Sequence, residues 1–259
     1  MDHSILIQSR LSSKRLPGKI LFKLGNSNHS ALSLMCERLK ILQDEFDIAF
    51  ITSDKECDQA ISFASSLNNF RSYQGSHKDV LKRYYECATF LNSKTIIRLT
   101  SDCPLIDPNE IKRVLKIHQK NKNDYTTNTF EGSSLVDGFD VEVFSYAALV
   151  RAFNEASLPS HREHVTFFFT EDNNFKIQYV DPNLSFPYTR LTLDTPEDFI
   201  AISKLLENVD NIEKLSMIEI IKSFYKFNLN KINSSIEKNH GWKDSFKKDE
   251  EYKKNLRNF

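Results

Sequence analysis

The chain is predicted to be an α/β protein on a mainly parallel central sheet, and three observations predict it. Short apolar runs of strand length alternate with stretches of helical period through the first half. Prolines fall at the first turn of predicted helices, at Pro108 and Pro196. The 259 residues suffice for one large α/β domain or two small ones with a proper core.

The first strand is expected over Ser4–Gln8, with others over Asp47–Thr52, Phe70–Tyr73 and Thr95–Thr100. Between them the periodicity predicts helices over about His29–Leu42, Lys55–Leu67 and Lys78–Leu91. Such alternation gives βαβ units with right-handed crossovers. Asp107 caps a further helix that starts at Pro108. The pattern then changes. Strands are expected over Asp124–Thr129 and Phe139–Phe144, a helix over Tyr146–Ala156, and one helix from about Ser160 to Thr170. Strands follow near Phe175–Val180 and Tyr188–Leu193, and a helix opens at Thr195-Pro196-Glu197-Asp198. This central region reads as an insertion that completes a substrate pocket or a dimer face. Beyond Phe227 the pattern decays into Asn, Lys, Glu and Ser, which divides the chain into a domain over 1–227 and a charged, solvated, partly helical tail over 228–259.

Composition narrows the function. Thirty-five basic against 35 acidic residues leave no global basic field, which argues against a dedicated nucleic-acid binder. No run approaches the roughly 20 apolar residues that span a bilayer, and the N-terminus does not read as a signal peptide. Cys36, Cys57, Cys87 and Cys103 are widely spaced and form no CxxC pair, so neither a disulfide framework nor zinc spacing is present. Reduced thiols in a cytoplasmic protein are the expectation.

The chemistry concentrates after the first strand, where Arg10, Lys14, Arg15 and Lys19 share one short loop. Two readings stand: a solvated basic turn, or a polyphosphate clamp at the carboxyl end of the sheet, where open α/β folds place ligands. The Walker A and GxGxxG patterns are missing, so a clamp would rely on Arg forks and Lys point charges. Asp102 and Asp194 both end predicted strands and would project to the same edge, where a hard cation wants one or two carboxylates. Each could equally be a turn or cap residue. On a strand, Asp140 and Glu142 share one face, either towards solvent or lining an acceptor pocket. His161 and His164 stand at i, i+3 without a third metal ligand, and Arg162 with His164 is better suited to an anionic ligand. Cys103 reads as a small buried filler.

Six co-linear stretches carry a resemblance. They are Gln8-Ser9-Arg10 through Leu16-Pro17-Gly18-Lys19; Gly75-Ser76 with Asp79-Val80-Leu81 and Arg83-Tyr84-Tyr85; and Arg98 to Asp107. Asp137-Gly138-Phe139-Asp140-Val141-Glu142-Val143-Phe144, Arg162-Glu163-His164-Val165-Thr166 and Thr192-Leu193-Asp194-Thr195-Pro196-Glu197-Asp198 complete the set. Over about residues 4–207 the chain resembles the cytidylyltransferases of the spore coat polysaccharide biosynthesis protein F type, and more distantly the acylneuraminate and KDO cytidylyltransferases. The resemblance implies a Rossmann-like nucleotidyltransferase (nucleotide-diphospho-sugar transferase-like) fold and a cytidylyltransferase domain over 1–227. It also implies Mg²⁺-dependent transfer of CMP from CTP to an anionic sugar or a small phosphorylated or acidic acceptor, with release of pyrophosphate, in surface polysaccharide or glycan biosynthesis. Arg10, Arg15 and Lys19 would hold the triphosphate and act in catalysis. Gln8, Ser9, Thr100 and Ser101 would line the nucleotide, and Gly75, Ser76, Asp79 and Arg83 would lie near the cytidine. Asp102 and Asp194 would bind metal, and Asp140, Glu142, Arg162 and His164 would face the acceptor. A homodimer follows from the resemblance alone. The chain departs from the family at Ser12 and Ser101, where glycine is usual and where serine would not take a positive φ cheaply. A sugar-nucleotide glycosyltransferase and a non-catalytic nucleotide-binding partner in glycan assembly are the alternatives.

Overall fold

Strand β1 (His3–Gln8) shows how the sequence builds the sheet. Its residues alternate faces, so Ile5 and Ile7 enter one apolar layer while Leu6 enters the other. Helix α1 (Ala31–Leu39), strand β2 (Asp47–Ser53), helix α2 (Gln59–Leu67), strand β3 (Arg71–Gly75), helix α3 (Val80–Phe90) and strand β4 (Thr95–Thr100) follow in strict alternation. The computed structural model describes residues 1–184, 186, 189–236 and 240–257. Helix α4 (Pro108–Asn121), with Asp107 as cap, leads to β5 (Tyr125–Thr127), β6 (Glu142–Ser145), α5 (Tyr146–Glu155), α6 (Pro159–His164), α7 (Phe167–Glu171) and β7 (Ile177–Tyr179). Helices α8 (Pro196–Asn208), α9 (Met217–Lys226) and α10 (His240–Arg257) complete the chain.

The seven strands form one sheet in the order β3-β2-β1-β4-β6-β5-β7. Strand β6 runs antiparallel to both neighbours, and the remaining pairs are parallel. Helices α1 and α4, with Ile61 of α2, cover the face of Ile5 and Ile7. Helices α3, α5 and α7 cover the face of Leu6. A third apolar cluster joins Leu191 and Leu193 to α8 and α9. Asp107 links these layers by accepting from Asn109 N (2.8 Å) at the start of α4 and from Met217 N (2.7 Å) at the start of α9.

Three expectations need correction. The strand over Tyr188–Leu193 does not form: Tyr188 lies outside the described residues, and Arg190 makes only an isolated bridge to Asp137. Leu191 N and Leu193 N donate to Asp137 O and Asp102 O, both at 2.7 Å, so this extended segment runs along two loops rather than beside a strand. Gly138 (φ 115°) permits that approach, since a Cβ there would lie 2.5 Å from the Leu191 carbonyl carbon. The single helix over Ser160–Thr170 is two helices, broken at Val165, whose φ of 65° and ψ of −61° form a γ-turn closed by Thr166 N on His164 O (2.6 Å). Lastly, the stretch beyond 227 is not simply solvated. Asn233 is buried, and α10 packs on α6 through Asp249 to Ser160 N (2.9 Å) and Lys248 to Glu163 (2.8 Å).

Candidate active site

The basic loop is tied at both ends. Ser9 N donates to Ile51 O (3.0 Å), and Leu11 N donates to Oδ1 of the buried Asp58 (2.8 Å), whose other oxygen takes the Ser53 hydroxyl. Gly18 N closes the loop on Leu11 O (3.0 Å), and a single 3₁₀ turn over Lys19–Leu21 then turns Lys19 inward. Neither Ser12 nor Ser101 adopts a positive φ, so the departures from glycine strain nothing.

Lys19 Nζ, with its side chain 8% exposed, bridges Asp102 Oδ2 (3.0 Å) and Asp194 Oδ1 (2.7 Å). Asp194 Oδ2 is held by Arg15 Nη2 and Arg190 Nη2, each at 3.0 Å. Arg190 also pairs with Asp137 and with the buried Asp198 (Nε to Oδ1, 3.0 Å), and Asn233 Nδ2 donates to both Asp198 Oδ1 (2.8 Å) and Arg190 O (3.0 Å). Burial opposes ionisation of Asp102, yet Lys19 and Thr100 hold its pKa down at about 2. Lys19 is likewise held charged by its two carboxylates against the cost of burial. Cys103 Sγ lies 3.9 Å from both Asp102 Oδ1 and Asp140 Oδ2. Burial, then Asp137, pushes Asp140 up to about 7, although Thr129 Oγ1 donates to it at 2.9 Å.

The opposite end is rich in cations and poor in partners. Arg10 is exposed, and its side chain makes no ion pair or hydrogen bond among the described residues. Arg83 is 1% exposed, yet its Nε and Nη1 have no hydrogen-bond partner. Burial lowers its pKa, and Arg10 adds to the effect. Gly75 makes room for it, since a Cβ there would lie 2.8 Å from Arg83 Cγ. The buried Ser9 hydroxyl is also unpartnered. Between the two ends, Arg98 pairs with Glu142 and donates to Gln8 Oε1 (3.1 Å), while Tyr125 donates to Glu142 Oε1 (2.6 Å).

The structure thus brings Arg15, Lys19, Asp102 and Asp194 into one cluster, with Thr100, Ser101 and Asp140 beside it. Gln8 and Glu142 meet through Arg98. Ser76 and Asp79 instead form the cap of α3: Ser76 Oγ accepts from Asp79 N (3.1 Å) and Asp79 Oδ1 from Lys82 N (2.8 Å). Arg162, expected to face an acceptor, pairs with Asp79 (Nε to Oδ2, 3.0 Å), so these two residues satisfy each other. His164 stacks on Phe167 and bonds Ser245 through Nε2 (2.7 Å). Burial, with Arg98, Lys248 and Arg10 nearby, brings it down to about 4. Burial thus favours its neutral imidazole.

Arg190, Asp58 and Asp198 escaped the sequence reading. Arg190 had a signal, because Arg190, Thr192 and Asp194 alternate along an extended segment and so share a face. Asp198 stood in the helix-opening Thr195-Pro196-Glu197-Asp198, where the third residue after a Thr cap can complete a capping box, whereas Asp58 had no signal beyond its charge. The Asp102–Asp194 pair offers hard oxygens from two separate segments to one cation, a donor set that suits Mg²⁺. Among the described residues no group of three or more His, Cys, Asp or Glu side chains could hold a metal unaided. The pair therefore fits an ion that shares its coordination with water and phosphate.

The family model described as Cytidylyltransferase matches residues 4–237. An uncharacterized protein of Methanocaldococcus jannaschii is 34% identical over 83% of this chain and 88% of its own length. The spore coat polysaccharide biosynthesis protein SpsF of Bacillus subtilis is 29% identical over 85% of this chain and 92% of its own. Among solved structures, a cytidylyltransferase from Leptospira borgpetersenii superposes with a TM-score of 0.83 at 29% identity, covering 93% of this chain and all (100%) of that one. A CMP:2-keto-3-deoxy-manno-octonic acid synthetase solved with CTP has a TM-score of 0.60 at 15% identity, covers 80% of this chain and 99% of its own, and shows a shared fold. The expected Rossmann-like nucleotidyltransferase architecture is the one the chain adopts.

Proposed function

The chain belongs to the cytidylyltransferase family, and on that premise we propose that it transfers CMP from CTP to an anionic sugar or small phosphorylated or acidic acceptor in glycan biosynthesis. The observation that carries the reading is the convergence of Lys19 on Asp102 and Asp194, a cation and two carboxylates gathered at one sheet edge, which supports a site for phosphate and metal. The acceptor oxygen attacks the α-phosphorus in line. A new O–P bond forms as the bond from the α-phosphorus to the bridging oxygen breaks, and pyrophosphate leaves with that electron pair.

Arg15 and Lys19, already gathered at the carboxylates, and the unpartnered Arg10 neutralise the triphosphate and the charge that grows on the leaving group. Asp102 and Asp194 would hold Mg²⁺, which when bound screens phosphate charge and orients the α-phosphate. Arg83, with the Ser9 hydroxyl, supplies buried donors for the cytidine end. Asp140 and Glu142 stand on the acceptor side of Asp102. Much of the rate then comes from positioning and preorganised charge.

No helix among the described residues is long and apolar enough to cross a membrane. We place the reaction in the cytoplasm, where CTP is made, in a homodimer whose domain over 1–227 carries the site, with Asn233 and the α10 residues Lys248 and Asp249 packed against it. Pyrophosphate release with CTP, UTP, ATP and GTP against sugar acids, sugar phosphates and small phosphorylated acids, with Mg²⁺, tests the proposal. Release with CTP and one acceptor class is expected. A nucleoside diphosphate product would mean a glycosyltransferase, and CTP binding without turnover across the panel a non-catalytic partner.

A further inference from the structure

We infer that Lys19 is a built-in stand-in for the divalent ion: its ammonium holds Asp102 and Asp194 together until nucleotide phosphates draw it away, and only then do the carboxylates accept a metal. The inference rests on reading those two aspartates as the metal ligands. Its basis is that Lys19 Nζ sits on one oxygen of each (3.0 and 2.7 Å), the very pair a shared ion would need. The second oxygen of Asp194 is already committed to Arg15 and Arg190 at 3.0 Å each. A dication arriving alone therefore meets three cations around Asp194 and must displace a charge-assisted bond to each carboxylate.

A triphosphate changes the balance, because it offers Lys19 equivalent oxygens. Lysine suits such an exchange, being a compact point charge on a flexible stem that swings without moving the backbone. The start of the 3₁₀ turn anchors its backbone, and the closed loop (Gly18 N to Leu11 O, 3.0 Å) keeps that root in place while the stem swings. Metal and nucleotide then bind cooperatively, each raising the other's affinity by the same factor.

The test is Mn²⁺ titration of the nucleotide-free full chain, read by the EPR signal of free ion, for the wild type, Lys19→Gln and Lys19→Arg. Lys19→Gln is expected to bind Mn²⁺ on the order of tenfold or more tighter than wild type. Lys19→Arg, which keeps the charge, is expected to stay as weak as wild type. A Lys19→Gln affinity equal to or weaker than wild type overturns the inference. Thermal melts confirm that the variants fold, and the wild type gives an independent readout should they not. Its Lys19 ζ-nitrogen NMR signal should stay put with Mg²⁺ alone and shift with CTP, and a shift with Mg²⁺ alone overturns the exchange. CTP turnover by the wild type beside an unaltered Lys19→Gln affinity would sink the exchange and leave the cytidylyl-transfer reading standing. Absent turnover would strike that reading without touching the Mn²⁺ comparison.

Discussion

The two ends of the candidate site treat buried charge in opposite ways. At the carboxylate end, the buried Lys19 and Arg190, with the exposed Arg15, are all paired with carboxylates, those of Asp102, Asp137, Asp194 and Asp198. At the end proposed for the cytidine, Arg83 is as deeply buried, yet two of its nitrogens have no partner. A buried donor left unpaired costs about 1–3 kcal/mol, more when charged. The matched end is preorganised by the protein itself. The unmatched end offers donors that the described residues leave unfilled, and in the proposed reaction the nucleotide fills them.

The largest effect should come from removing a carboxylate at the matched end. Asp102→Asn is expected to lower turnover about a thousandfold or more, since metal assistance is worth several kcal/mol. The fold should survive, because Lys19 keeps Asp194. Pyrophosphate release beside a thermal melt reads both, and unchanged turnover would remove Asp102 from the metal site. Arg190→Met sharpens the same contrast through stability. It takes the guanidinium away from Asp198, which is wholly buried, and one partner each from Asp137 and Asp194, and is expected to cost about 3–5 kcal/mol in urea unfolding.

Arg83→Met should do the reverse. Losing a guanidinium with unpaired donors leaves stability unchanged or raises it, while CTP affinity falls about tenfold to a hundredfold through the lost charge-assisted bonds. Calorimetric titration with CTP and urea unfolding decide the matter. A destabilised variant with intact CTP affinity would make Arg83 structural and end the contrast between the two ends.

What the sequence could reveal follows the same divide between local and non-local causes. The alternation of β1 to β4 with α1 to α3 was legible because period and caps are local, and Asp107 and Pro108 marked the start of α4 to the residue. The segment 189–193 misled because its alternation is that of a strand, while its neighbours, at Asp137 and Asp102, are loops. Val165 hid the break between α6 and α7, since a β-branched residue at positive φ is not what local preference selects. Lys19, Asp102 and Asp194 could be named from strand ends and motif order. Their bridging by one ammonium, and the pairing of Asp79 with Arg162, depend on contacts 83 and 175 residues apart that no spacing encodes.

The smallest expected effect is on pH dependence, and it probes both ends at once. Burial and the surrounding cations bring His164 down to about 4 from an ordinary 6.5, so between those values the unfolded chain holds more protons than the folded one. Stability from this group is complete above pH 6.5 and drains away as the pH falls towards 4. Asp140 lies at the acidic end, where burial and Asp137 raise it to about 7 from 3.8, so there the folded chain holds more protons. Its contribution is complete below pH 3.8 and is lost as the pH rises through 7. Asp140→Asn should therefore gain stability over wild type from neutral pH upward, by about 1 kcal/mol after allowance for solvent screening, and match it near pH 4. His164→Asn should flatten the acid side of the profile by a similar amount. Urea unfolding across pH 4–8 reads both slopes. Slopes of the same sign in the two variants would mean that the ends do not differ in field, and the contrast between them would then rest on hydrogen bonding alone.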